Sequence, residues 1–137
     1  MRTRLFATAI IGSIAAFGMV SANAAPPSAV TPSIAFASGS GFSSTVSPSL
    51  GSSVAFATVY PSTTKNPSVE VNCYQNGVLV WGRVGAPSDS VLLGGGWSPW
   101  VVNGGSADCT ATLLDIVWVH KMEQVSRLAG MSFSANA

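Results

Sequence analysis

The stretch Cys73-Tyr74-Gln75-Asn76-Gly77-Val78-Leu79-Val80-Trp81 decides the fold. Asn-Gly between two apolar runs is the preferred two-residue hairpin turn, because both central positions need positive φ. The turn dictates a register in which Gln75 faces Val78, Cys73 faces Val80 and Asn72 faces Trp81. Carried further, the same register sets Glu70 opposite Arg83, an opposite-charge pair that supports it. Side chains alternate across a strand. Val69, Val71, Cys73, Val78 and Val80 therefore share a face read as the core, while Glu70, Asn72, Tyr74, Leu79, Trp81 and Arg83 share the other.

Outward from this hairpin, short alternating runs bounded by turn residues continue in both directions. The candidate strands are Ser33–Ala37, Ser53–Tyr60, Ser68–Gln75, Val78–Val84, Ser90–Leu93, Ala107–Val119 and Gln124–Ser134. Ser38–Gly51 is a Ser/Gly-rich connection, and Gly94–Gly105 is a glycine-bearing loop that carries Trp97 and Trp100. No later segment keeps apolar residues at helical spacing. About seven strands without a helix predict an all-β fold, a small antiparallel β-sandwich. With one disulfide and a tryptophan near the paired cysteine it resembles the immunoglobulin-like β-sandwich. In the last hairpin the core face should run Cys109, Ala111, Leu113 on one strand and Ala129, Met131, Phe133 on the other. A three-residue loop at His120–Met122 would then bring Asp115 opposite Arg127 as an ion pair.

The chain is organised as one domain behind an address. Arg2 and Arg4, the apolar run Leu5–Val20 and the small-x-small site Ala22-Asn23-Ala24 form a secretory signal over residues 1–24. The alternative is an anchor that is kept, but the run is short for a span and no stop-transfer charge follows it. Residues 25–32 read as a flexible lead-in and 33–137 as the sandwich. After cleavage the chain should be secreted, with no membrane span.

Composition then limits the partners. Only 8% of residues are charged, against roughly 25% in average soluble proteins. Without the signal, Lys65, Arg83, Lys121 and Arg127 face Glu70, Asp89, Asp108, Asp115 and Glu123, a net charge of −1. That leaves no basic footprint for nucleic acid.

Export and an even cysteine count favour a disulfide between Cys73 and Cys109, read as a bridge between two sheets. A redox or metal-binding pair is the other reading, but there is no Cys-x-x-Cys and His120 is the single histidine. No metal and no cofactor is expected, since two cysteines alone do not complete a zinc site.

Lys65–Val80, Leu93-Gly94-Gly95-Gly96, Asn103-Gly104-Gly105, Ala107-Asp108-Cys109-Thr110-Ala111, Trp118 and Ser132-Phe133 resemble a set of small exported actinobacterial proteins with single immunoglobulin-like domains. The resemblance implies fold and export and brings no activity with it. It departs at the last hairpin, where a glycine turn would follow Trp118 and Val119-His120-Lys121-Met122-Glu123 stands instead. The spacing of 36 positions between the cysteines is also shorter than in antibody domains. Antitumour chromoprotein apoproteins are similar in class alone, because their second disulfide has no counterpart here.

Three functions remain in view. The enzyme reading fails on inventory: His120 stands in a turn with no activated nucleophile marked beside it, and Gly94-Gly95-Gly96 lacks the Lys-Ser/Thr of a phosphate loop. A recognition module for a carbohydrate or another extracellular protein rests on Tyr74, Trp81, Trp97 and Trp100, with Asn72 and Arg83 as polar neighbours. Those rings have a blander use, as core or as cover, with the Gly94–Gly105 loop folding over Trp81 and Tyr74. The third function is a structural or assembly component of the envelope or secreted matrix, which low charge and strand edges suit. The sequence favours non-catalytic recognition.

Overall fold

The computed structural model describes residues 29–43 and 45–137; the expected signal over residues 1–24 and residues 25–28 of the expected lead-in lie outside them. Eight strands follow in order: β1 Ser33–Phe36, β2 Ser53–Val54, β3 Phe56–Val59, β4 Pro67–Gln75, β5 Val78–Gly85, β6 Val91–Leu92, β7 Ala107–Val119 and β8 Met122–Ala135. Each expected run is a strand, and the second is split in two at Ala55. A single turn of 3-10 helix, Val102–Gly104, interrupts the loop before β7. Among the described residues no helix is long and apolar enough to cross a membrane.

The expected all-β antiparallel sandwich forms, with one disulfide. Its large layer has the order β5-β4-β7-β8, and the facing layer consists of two short ladders, β1-β3 and β2-β6. Alternation gives the large sheet an apolar inner face of Val69, Val71, Cys73, Cys109, Ala111 and Leu113. Ile34, Val54, Phe56, Val91 and Leu93 close over it from the other layer. Phe36 joins the layers, its ring 5.8 Å from Phe56 and 5.1 Å edge-on from Phe133. The pairs Cys109 to Phe133, Ala111 to Met131 and Leu113 to Ala129 are the predicted core face of the last hairpin.

Three register details depart from the sequence reading. Cys73 and Cys109 are bonded, but they stand directly opposite each other on β4 and β7, with Cα atoms 4.1 Å apart. The bridge therefore ties neighbours within one sheet. It does not join two sheets as in antibody domains.

The Asn76-Gly77 turn forms with both φ positive, at 51° and 78°. Gln75 faces Val78 and Tyr74 faces Leu79, and there the expected register stops. Val80 is an extra residue on β5, so Cys73 faces Trp81, Val71 faces Arg83 and Glu70 faces Val84. Glu70 and Arg83 are not opposite each other. The bulge lets two consecutive residues, Val80 and Trp81, both be buried. Burying an indole is worth roughly 4–6 kcal/mol by area. An exposed ion pair is worth about 0–1 kcal/mol. The indole wins.

The last turn has two residues, not three: Val119 pairs with Met122 around His120 and Lys121, whose φ values are 50° and 66°. This shorter turn sets Asp115 against Ser126 and Arg127 against Leu114, so the proposed Asp115–Arg127 pair does not form. A bulge at Leu128, further on, returns Leu113 to Ala129 and the core face to its expected pairs. Asp115 instead accepts from the backbone N–H of Asn66 at 2.8 Å and of Lys65 at 3.2 Å. Two charge-assisted bonds to fixed amides outweigh one exposed ion pair.

Candidate functional site: the outer face of the large sheet

The bulge in β5 redistributes the aromatic residues on which a binding surface was expected. Trp81 turns inward and is 6% exposed, with its Nε1 donating to Gly95 O at 3.1 Å. Trp100 is also in the core. Trp97 is fully exposed on its loop. Arg83 shares the parity of Val71 and has left the face of Tyr74. Of the six residues singled out from sequence, the structure keeps two together on one face, Asn72 and Tyr74.

The bulge also anchors the loop that follows. Ser98 Oγ donates to the carbonyl of the bulge residue Val80 at 2.9 Å and accepts from Trp100 N–H at 3.2 Å. Gln75, buried at the end of β4, donates through Nε2 to Gly105 O at 2.7 Å and Val101 O at 3.0 Å. Its Oε1 accepts from Val101 N–H at 3.2 Å. These bonds hold Gly94–Gly105 against the inward-turned Trp81 and not over an outer-face patch shared with Tyr74, which stays open at 37% exposure.

On the outer face, register builds a polar array. Tyr74 lies beside Asp108, which lies beside Ser134; Asn72 lies beside Thr110, which lies beside Ser132. Asn72 can lie flat because its neighbour on β5 is Gly82, where a Cβ would stand 2.6 Å from Asn72 Oδ1. A shallow groove of about 470 Å³ runs across these rows, lined by Tyr74, Asp108, Thr110, Ser132 and Ser134 with the Cys109 and Phe133 segments as its floor. Sequence reasoning missed Asp108, Thr110, Ser132 and Ser134. The signal was present as polar residues at every second position, Asp108-x-Thr110-x-Thr112 and Ser132-x-Ser134.

One ring, one carboxylate and a set of hydroxyls around a shallow groove can stack on an apolar patch and exchange hydrogen bonds with a hydroxylated ligand. Among the described residues, no three His, Cys, Asp or Glu side chains gather to hold a metal ion. Comparison with known protein families, with curated proteins and with solved structures finds no match to this chain.

Proposed function

We propose that the chain is an exported, non-catalytic recognition module that binds carbohydrate on the outer face of its large sheet. The observation that carries this reading is the groove, where the half-open Tyr74 ring stands in one row with Asp108 and Ser134 and next to Thr110 and Ser132. The C–H face of a sugar ring stacks on an aromatic side chain, and its hydroxyls both donate and accept. Asp108 supplies the acceptor, and the serine and threonine hydroxyls answer either role. Export is supported by the Met1–Ala24 pattern and by the disulfide, which belongs to oxidising compartments.

An array of neutral oligosaccharides probed with the purified protein tests this. Tyr74→Ala should leave the melting temperature within a few degrees, because the ring is half-exposed, and should remove binding by about tenfold or more. Retention of the full signal by that variant contradicts the assignment of the groove. A role in assembly is favoured by a separate observation, the outer edge of β8, unpaired among the described residues, and would act through that edge and not through the face.

A further inference from the structure

We infer that two copies of this chain pair through the outer edge of β8, antiparallel about a two-fold axis at Val125, with Glu123 of each copy set against Arg127 of the other. This gives the assembly reading its partner and is independent of sugar recognition. β8 is 14 residues long and lies at the end of the sheet order, bonded among the described strands to β7 alone. Beyond Asp115 it has no β4 beneath its partner strand, so Ile116–Val119 and Met122–Val125 stand out as a two-stranded arm. Trp118, Met122 and Val125 on this arm are more than half exposed. A two-stranded ribbon in water is marginal unless something extends or covers it.

The direction of the backbone groups follows from the ladders. Bonded and non-bonded pairs alternate along an antiparallel ladder. Ile116 N–H donates toward the β4 side, to Asn66 O at 3.1 Å, so the pair of Ile116 with Val125 is a non-bonded one. The N–H and C=O of Val125 therefore point away from β7, and by alternation so do those of Glu123 and Arg127. Among the described residues none of these three has a backbone partner. Their side chains share one face, with Val125 beside Ile116 and Glu123 beside Trp118.

A two-fold antiparallel pairing that uses these outward groups centres on one of the three or on Gln124 or Ser126 between them, and the last two set a charged residue against Val125. Centring on Glu123 sets two carboxylates against each other, and centring on Arg127 sets two guanidinium groups together. Centring on Val125 pairs valine with valine and places an opposite-charge pair on each side. Of the registers that make the backbone bonds, the one centred on Val125 matches charge. It forms roughly six backbone hydrogen bonds and joins the two large sheets into one. The matched segment ends at Met122 against Leu128, where the bulge lies, so the groove at Ser132 and Ser134 stays open. Seven residues from each copy make a small interface, so association should be weak, with Kd on the order of 10–100 µM.

Sedimentation equilibrium of the purified oxidised protein tests the inference, with circular dichroism confirming that each variant is folded. Glu123→Arg and Arg127→Glu should each weaken the dimer by about tenfold or more, and the double swap E123R/R127E should restore it. Val125→Pro removes an outward N–H and should give a monomer without disturbing the bonds to β7. A wild-type chain that stays monomeric to about 1 mM at low salt overturns the inference. So does a double swap that fails to recover what the single changes lose. A monomer that binds sugar refutes this pairing alone, and a dimer that ignores sugar refutes the groove alone.

Discussion

Trp81→Ala should destabilise the protein by about 3–5 kcal/mol, the cost of truncating a large buried aromatic. For a domain of this size that lowers the melting temperature by roughly 15 °C or more. Trp81 is 6% exposed and sits beside the Cys73–Cys109 bridge on the inner face. Its Nε1 also holds Gly95 O, so the truncation should loosen the Gly94–Gly105 loop as well. Urea denaturation monitored by far-UV circular dichroism reads the loss directly. A change below about 1 kcal/mol would place Trp81 on the surface and remove the bulge from the account.

Removing the bridge should cost a similar amount by a different route. Cys73→Ala with Cys109→Ala releases a loop closed over 36 positions, worth about 3–4 kcal/mol of denatured-state entropy. Both cysteines are fully buried, so small apolar replacements leave no unpaired polar group behind. The expected fall in melting temperature is roughly 15 °C, and reduction of the native protein should give the same fall. Two titratable thiols in the native protein, or a melting temperature indifferent to reductant, would contradict the bridge.

How far the sequence could be read depends on where local rules meet bulges. The Asn76-Gly77 turn, the strand runs and the cysteine pair are local or compositional, and the structure bears them out. Register is not local: one extra residue exchanges the faces of everything beyond it. Val80 is such a residue, and it moved Trp81 inward and parted Glu70 from Arg83. The warning in the sequence was Gly82, since a glycine inside a strand marks a bulge or a close approach. Asp115 and Arg127 were parted by the His120-Lys121 turn, one residue shorter than expected, while Leu128 is a second bulge for which Gly130, over which the Arg127 guanidinium lies, was the comparable sign.

The candidate site was half legible for a related reason. Asn72 and Tyr74 were found because they lie on the turn's own strand, before the bulge. Asp108, Thr110, Ser132 and Ser134 come from strands more than 30 positions further on, and only the β4-β7-β8 pairing brings them beside Tyr74. Large aromatics drew attention to Trp81, Trp97 and Trp100, but ring size does not say which way a residue faces. The disulfide likewise was legible as a pair and not as a placement.

The central claim is that recognition occurs on the hydroxyl-lined outer face at Tyr74 and not at the tryptophans. Titrating the 15N-labelled protein with a neutral oligosaccharide that scores on the array, and following backbone amide shifts, tests it most directly. The account predicts saturable shifts centred on Tyr74, Asp108, Thr110, Ser132 and Ser134, with Trp81 and Trp97 unmoved. Saturable shifts confined to Trp97 and the Gly94–Gly105 loop, or none at the Tyr74 row, would contradict it.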